Sequence, residues 1–475
     1  MHLVNRLQPK KMLGTDPSWL VRSLNFSKIN KLDAAFVCLI FLLRVASTST
    51  ANIAYLMLSV YAFLGWPQVV QSYVLSCLLT LINPAIAADV EVAVVSRYLV
   101  LFAGFLSVGF RGGFWRITRP LGLTYLLGFF LIVHSAILSQ MPLISSLKSL
   151  AWFMAASTAI AAVTQMQAHI YRDMANWLYC VFLALVLASI PFMMIPSIGF
   201  ARNGEGFQGV LNHPQAFGPT VAILGSMVAG ALCSRRKVSV GLSATLVVCF
   251  VFVILSESRT AGFALILGLS LSAFSFRLVA GRSFFEVAPL LRGWRVVLLL
   301  LIALFALTAA GSQLQEVFES YVAKRSETNS LSPVQVYQSS RGALIEEMVS
   351  NIVLNPWGGI GFGIASDPTY MFVIYDPFFD LPVSASVEKG VLPVALLEEV
   401  GIPGFLLCAI WLWILVQHAA RFAMIGLFVT STALLLNMGE SVLFSPGGFG
   451  MLVLVMMCFW VFNPNERWAN RNTVA

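Results

Sequence analysis

Fourteen apolar runs follow one another along this chain, most of them of roughly 20 residues. They occupy 34–47, 51–65, 67–87, 94–110, 121–138, 144–165, 175–195, 214–233, 239–256, 259–277 and 295–312. After a long polar interruption they resume at 391–415, 420–437 and 448–463. A helix needs roughly 20 apolar residues to cross ~30 Å of hydrocarbon. Transmembrane β-strands alternate in polarity, whereas these runs are continuously apolar. The expected fold is therefore all-α: a polytopic transmembrane bundle of 12–14 helices, with one large extracytoplasmic loop that contains short surface helices. The first two runs are short for a full crossing and predict either a helical hairpin or a re-entrant pair. Twelve or fourteen crossings both leave the two termini on one side.

Charge fixes the orientation. Only 11% of residues are charged, against about a quarter in soluble domains, yet the net charge is +8. With the N-terminus inside and strict alternation, 20 Lys and Arg fall on the cytoplasmic side, 6 on the outer side and 3 within segments. That asymmetry is the positive-inside pattern, and it explains the excess charge without nucleic acid. The implied organisation is a basic cytoplasmic tail (1–33), an N-terminal bundle (34–312), a large outer loop (313–390, periplasmic in a Gram-negative cell), C-terminal helices (391–463) and a cytoplasmic tail (464–475). The tail at 1–33 lacks a small-residue cleavage pattern and is expected to be retained. All seven cysteines fall in or beside apolar segments, which excludes a disulfide framework or a Cys metal site in the outer loop.

Metal and nucleotide signatures are missing. The sequence has no DxD, HExxH, paired cysteines or GxxxxGK[ST], and its five histidines are scattered. No metal ligand set and no cofactor are expected. The outward cations run against the topological bias and invite a reason. Arg259 opens an apolar segment in Ser258-Arg259-Thr260, and Arg341 opens an expected helix over 341–355, with Ser340 as its N-cap. Arg97 and Lys148 begin segments on the outer side, while Arg202 and Lys389 lie in outer loops. An arginine fork at a helix N-terminus suits a phosphate. Snorkelling to headgroups, or pairing with Glu257 or Glu346, is the alternative for the same residues.

Other outer-side groups divide in the same way. Gly359, Gly361 and Gly363, in Gly358-Gly359-Ile360-Gly361-Phe362-Gly363, form either a phosphate-cradling loop or a tight turn that returns the chain to the surface. Glu398, Glu399 and Glu440 lie at or near membrane depth, where acidic residues are costly and either functional or held by neighbouring helices. His213, before Pro214, is a candidate base or a shaper of the loop that leads into the next helix.

In order, Gly209–Gly218, Ser258-Arg259-Thr260, Ser340-Arg341-Gly342, Asn355-Pro356 with Gly359–Gly363, Glu399-Val400-Gly401 with Gly404, and Glu440 to Gly448 resemble the O-antigen ligase and O-antigen/exopolysaccharide polymerase superfamily. The resemblance covers roughly 200–450. It implies metal-independent glycosyl transfer from an undecaprenyl-diphosphate-linked glycan at the outer face of the bacterial inner membrane. It carries the two essential arginines of the family onto Arg259 and Arg341. Ligases place a His-Asn pair shortly before the Glu-x-Gly turn. Here that place reads Val387-Glu388-Lys389-Gly390-Val391, without histidine, which favours a polymerase and makes Glu388 or Glu399 the candidate base. Arg202, His213, Lys389, Gly359, Gly361, Gly363 and Glu440 are then candidates for diphosphate or substrate binding. Expected partners are the lipid-linked glycan, the bilayer, and a chain-length regulator or other polysaccharide-assembly proteins. A ligase acting on lipid A-core or on protein, and a polysaccharide or lipid transporter, are the competing readings.

Overall fold

The computed structural model describes residues 30–87, 93–200, 206–235, 237–281, 283, 285, 288–293, 333–376, 380–385, 387, 389–422 and 424–462. Its main helices are α1 (Lys31–Ala46), α2 (Thr48–Tyr61), α3 (Trp66–Thr80), α4 (Ala93–Phe110), α5 (Arg119–Leu138), α6 (Pro142–Gln165), α7 (Ala168–Ser189), α8 (Pro214–Cys233), α9 (Val240–Leu255), α10 (Arg259–Ala280), α11 (Pro333–Leu354), α12 (Leu392–Phe422), α13 (Met424–Leu436) and α14 (Gly448–Val461). Each apolar run within the described residues is helical. The run at 295–312 lies outside them. By length and composition, six helical stretches among the described residues suit a membrane crossing: 119–138, 142–165, 168–194, 214–233, 259–279 and 392–420. The fold is all-α and polytopic, as the apolar runs predict.

The two short opening runs form a helical hairpin. Ser47 ends α1 and caps α2 reciprocally: its Oγ accepts from Thr50 N–H (3.2 Å), and Thr50 Oγ1 accepts from Ser47 N–H (3.0 Å). The centre of the bundle is α8, of whose most apolar stretch 94% is buried. Small residues let its neighbours approach closely. A Cβ on Gly230 of α8 would stand 2.6 Å from the Ile425 Cα on α13, and one on Gly426 would stand 2.3 Å from the Trp460 carbonyl oxygen on α14.

The long loop expected on the outer side differs from expectation at one end. The helix that carries Arg341 starts at Pro333, so Ser340 is inside α11 and is not its N-cap. Proline's fixed φ and missing N–H suit a helix start, and the apolar spacing at 345–353 marked only the later turns. Arg341 therefore does not stand at a helix N-terminus, and no dipole argument applies to it. The expected stop before Pro356 is found, with α11 ending at Leu354. A short antiparallel hairpin of β1 (Val373–Tyr375) and β2 (Pro382–Ala385) follows, pairing Val373 with Ala385 and Ile374 with Ser384.

The helix α12 breaks at Gly401 (φ 63°, ψ −176°), two residues before Pro403. A broken helix exposes backbone groups that must be satisfied within the protein. Here the glycine-rich loop supplies the partners. Ile402 N–H donates to the Pro356 carbonyl (2.9 Å), while the Glu398 and Glu399 carbonyls accept from Ile360 N–H and Gly361 N–H (2.9 Å each). The kink and the loop therefore form one unit.

Candidate functional site

The glycine-rich loop follows α11 and lies against α5, α6 and α12. Gly359, Gly361 and Gly363 all have positive φ (64°, 123° and 66°), a region that favours glycine. A Cβ at Gly359 would meet the Glu399 carbonyl oxygen at 2.5 Å, and one at Gly361 would meet Ser139 Oγ at 2.1 Å. Between them Phe362 is fully buried and meets Phe444 edge-on, and Phe444 stacks on Trp152. His134 Nε2 donates to the Gly358 carbonyl (2.6 Å), and Ser145 Oγ donates to the Phe362 carbonyl (2.9 Å). The loop is thus a tight re-entry turn, held by backbone contacts and one aromatic plug.

A buried charge cluster stands beside it. Lys389 Nζ lies 2.7 Å from Glu398 Oε2 and 3.1 Å from Glu399 Oε1. All three residues are buried. The other oxygen of Glu398 accepts from Asn351 Nδ2 (2.7 Å), tying α12 to α11, and Asn351 also donates to the Ser366 carbonyl. The other oxygen of Glu399 accepts from Gly363 N–H (2.8 Å). Lys148 Nζ, on α6, donates to the Gly363 carbonyl (2.7 Å) and the Ala385 carbonyl (2.8 Å). The Gly363 peptide is therefore held at its N–H by a carboxylate and at its carbonyl by an ammonium. Nearby, Thr369 donates its hydroxyl and its N–H to Asp367 (2.6 and 2.9 Å), which holds that carboxyl below its usual range.

Lys148, Gly363, Lys389 and Glu399 border a cavity of about 640 Å³. Arg97, Lys148 and Lys389 line it together with Glu399 and Asp376, and α4 and α6 give it an apolar wall that includes Leu101, Leu147 and Met154. Glu399, Lys389 and Gly363 are thus brought together around one cavity. Lys148 and Arg97 were legible only as cations on the outer side; that opposition to the positive-inside bias was the signal that could have promoted them.

Arg259, His213 and Glu440 gather on neighbouring segments. Arg259 begins α10, as expected. His213 caps α8, its Nδ1 accepting from Gln215 N–H (3.1 Å), so it shapes the start of that helix. Gly218 of α8 packs against Ser256 and Ser258, and Gly439 packs against Thr260 so closely that a Cβ would meet Thr260 Oγ1 at 2.3 Å. Glu440 follows in that turn. Its neighbour Ser441 donates its N–H to the Lys389 carbonyl (2.9 Å), which joins this group to the charge cluster. Glu257, before Arg259, has φ 51°, a conformation costly for a non-glycine residue. Arg202, Glu388 and the Arg341 side chain lie outside the described residues.

Among the described residues, no group of three or more His, Cys, Asp or Glu side chains could hold a metal ion. No curated protein matches the chain. Residues 244–409, which contain Arg259, Arg341, the glycine-rich loop and the Lys389–Glu398–Glu399 cluster, match the family described as O-Antigen ligase. Over that segment the match supports the resemblance to the O-antigen ligase and polymerase superfamily.

Proposed function

We propose that this protein polymerises undecaprenyl-diphosphate-linked oligosaccharide repeat units into surface polysaccharide, at the outer face of the bacterial inner membrane, with both termini in the cytoplasm. The observation that carries the reading is the cavity. It joins an apolar wall on α4 and α6 to Arg97, Lys148 and Lys389, a combination that suits a lipid whose headgroup is anionic.

The chemistry is an inverting, metal-independent transfer. The acceptor hydroxyl oxygen attacks the anomeric carbon of the donor glycan as the bond from that carbon to the diphosphate oxygen breaks. The diphosphate leaves on its lipid with the electron pair, and the hydroxyl proton passes to a carboxylate. Arg259 and Arg341 stabilise the charge that develops on the diphosphate. Both oxygens of Glu399 are already engaged, by Lys389 and by Gly363 N–H, which supports a holding role for it. Glu388, beside Lys389 in sequence, is then the stronger candidate for the base. Gly363 lies in the wall at which the headgroup sits, while Gly359 and Gly361 hold the loop against α12 and Ser139.

A ligase reading is favoured by the description of the matching family and uses the same donor site with a different acceptor. Deleting the gene and resolving the surface glycan on a gel distinguishes the two. Single repeat units on the acceptor indicate a lost polymerase. Long glycan without its core indicates a lost ligase, and loss of all outward glycan would contradict both readings in favour of a transporter.

A further inference from the structure

Among the described residues three cations line the cavity, and two are already satisfied. Lys389 faces two carboxylates, and Lys148 donates to two carbonyls. Arg97, on α4, differs. Its Nε is buried and has no hydrogen-bond partner. Its guanidinium carbon stands 5.0 Å from the centre of the Tyr98 ring, and Nη2 is 3.4 Å from the Tyr98 hydroxyl, at the long end for a hydrogen bond. Among the described residues no carboxylate lies within ion-pair distance of it. A partly buried guanidinium whose Nε lacks an acceptor and whose Nη2 bond is long is costly beside an apolar wall, and its planar fork matches phosphate oxygens.

The same wall shows how an amphiphile reaches it. Val95 and Phe102 on α4 and Leu150 on α6 border the cavity and are also 39%, 50% and 42% exposed. Exposed apolar side chains at the edge of the cavity on α4 and α6 suit contact with a lipid chain. A prenyl chain lying along these side chains brings its first phosphates to the level of Arg97.

We infer that Arg97 binds a phosphate of the lipid-linked donor, and that α4, outside the family-matched segment, thereby supplies part of the donor site. This rests on the lipid-diphosphate reading above. The chemistry recognised is a phosphorylated lipid, which could be a polyprenyl diphosphate or an ordinary anionic phospholipid, and the test separates the two.

The full chain is placed in phosphatidylcholine nanodiscs, and binding of undecaprenyl diphosphate is measured with unphosphorylated polyprenol and phosphatidylglycerol as competitors. Arg97→Ala is expected to weaken undecaprenyl diphosphate binding about tenfold or more, the scale of one lost charge-assisted fork. Arg97→Lys should restore part of it, and polyprenol binding should not change. Arg97→Gln, which keeps the length and polarity of the side chain, replaces Arg97→Ala if that variant does not reach the membrane folded. Unchanged affinity in the variant overturns the inference, as does displacement by phosphatidylglycerol as effective as by undecaprenyl diphosphate. Wild-type protein that binds undecaprenyl diphosphate through Arg97 yet never lengthens glycan contradicts the polymerase reading and leaves the binding assignment standing.

Discussion

At the scale of single residues, the cluster of Lys389, Glu398 and Glu399 carries the most consequence. Removing one member of a buried ion pair strands the other charge, at a cost of about 3–5 kcal/mol, whereas replacing the whole set by matched neutral groups is often tolerated. Lys389→Met and Glu398→Gln should therefore each lower the thermal unfolding midpoint sharply in detergent. Lys389→Met combined with Glu398→Gln should recover much of that loss. Strictly additive effects in this cycle would mean that the two side chains do not stabilise one another. Arg259→Ala and Arg341→Ala should each abolish polymer in cells while the protein stays in the membrane at normal abundance; full polymer in both variants would remove the proposed diphosphate clamp. Glu398 and Glu399 could be read from the sequence as carboxylates at membrane depth. Their shared partner could not, because Lys389 reaches them only once the chain turns back before α12.

At the scale of elements, the kinked helix and the glycine-rich loop stand or fall together. Gly401 has φ 63°, and a Cβ there would lie 2.2 Å from the Trp357 carbonyl oxygen. Gly401→Ala adds about 1–3 kcal/mol of strain, because this combination of positive φ and extended ψ is open essentially to glycine alone, before that clash is counted. It should release the loop, seen as faster limited proteolysis near Trp357 with the bundle otherwise intact; wild-type cleavage rates would show that loop and kink are independent. The glycines suggested a turn or a phosphate cradle. Only the structure shows that Ile360 and Gly361 N–H are spent on α12 carbonyls, Gly359 N–H on the Asn355 carbonyl and Gly363 N–H on the Glu399 carboxylate, which limits what they offer a ligand. The helix α11 was legible by its apolar spacing, but its start was not. Pro333 marks it through backbone geometry, a weaker pattern than hydrophobic periodicity. The β1–β2 hairpin is short, and its pairing depends on contacts that no local pattern in the sequence announces.

At the scale of the whole molecule, hydropathy and charge made the bundle legible, because lipid imposes a length and a polarity on each segment that sequence displays directly. The cavity was less legible. It draws on α4, α6, β2, the start of α12 and the turn before α14, which lie far apart in the chain. The orientation is testable in a cysteine-free background. Tyr370→Cys, in an exposed turn between α11 and α12, should react with an impermeant thiol reagent in cells whose outer membrane has been permeabilised. Lys237→Cys, between α8 and α9, should react only after lysis. Labelling in the opposite sense would invert the topology and remove the loop from the proposed site of polymerisation. The most direct test of function uses the purified protein, an undecaprenyl-diphosphate-linked oligosaccharide and a chelator, with products resolved by size and anomeric configuration. Polymerase activity requires glycan lengthened by whole repeat units, with the new linkage inverted relative to the donor. Donor that stays unextended, while the folded protein demonstrably binds it, would contradict that activity.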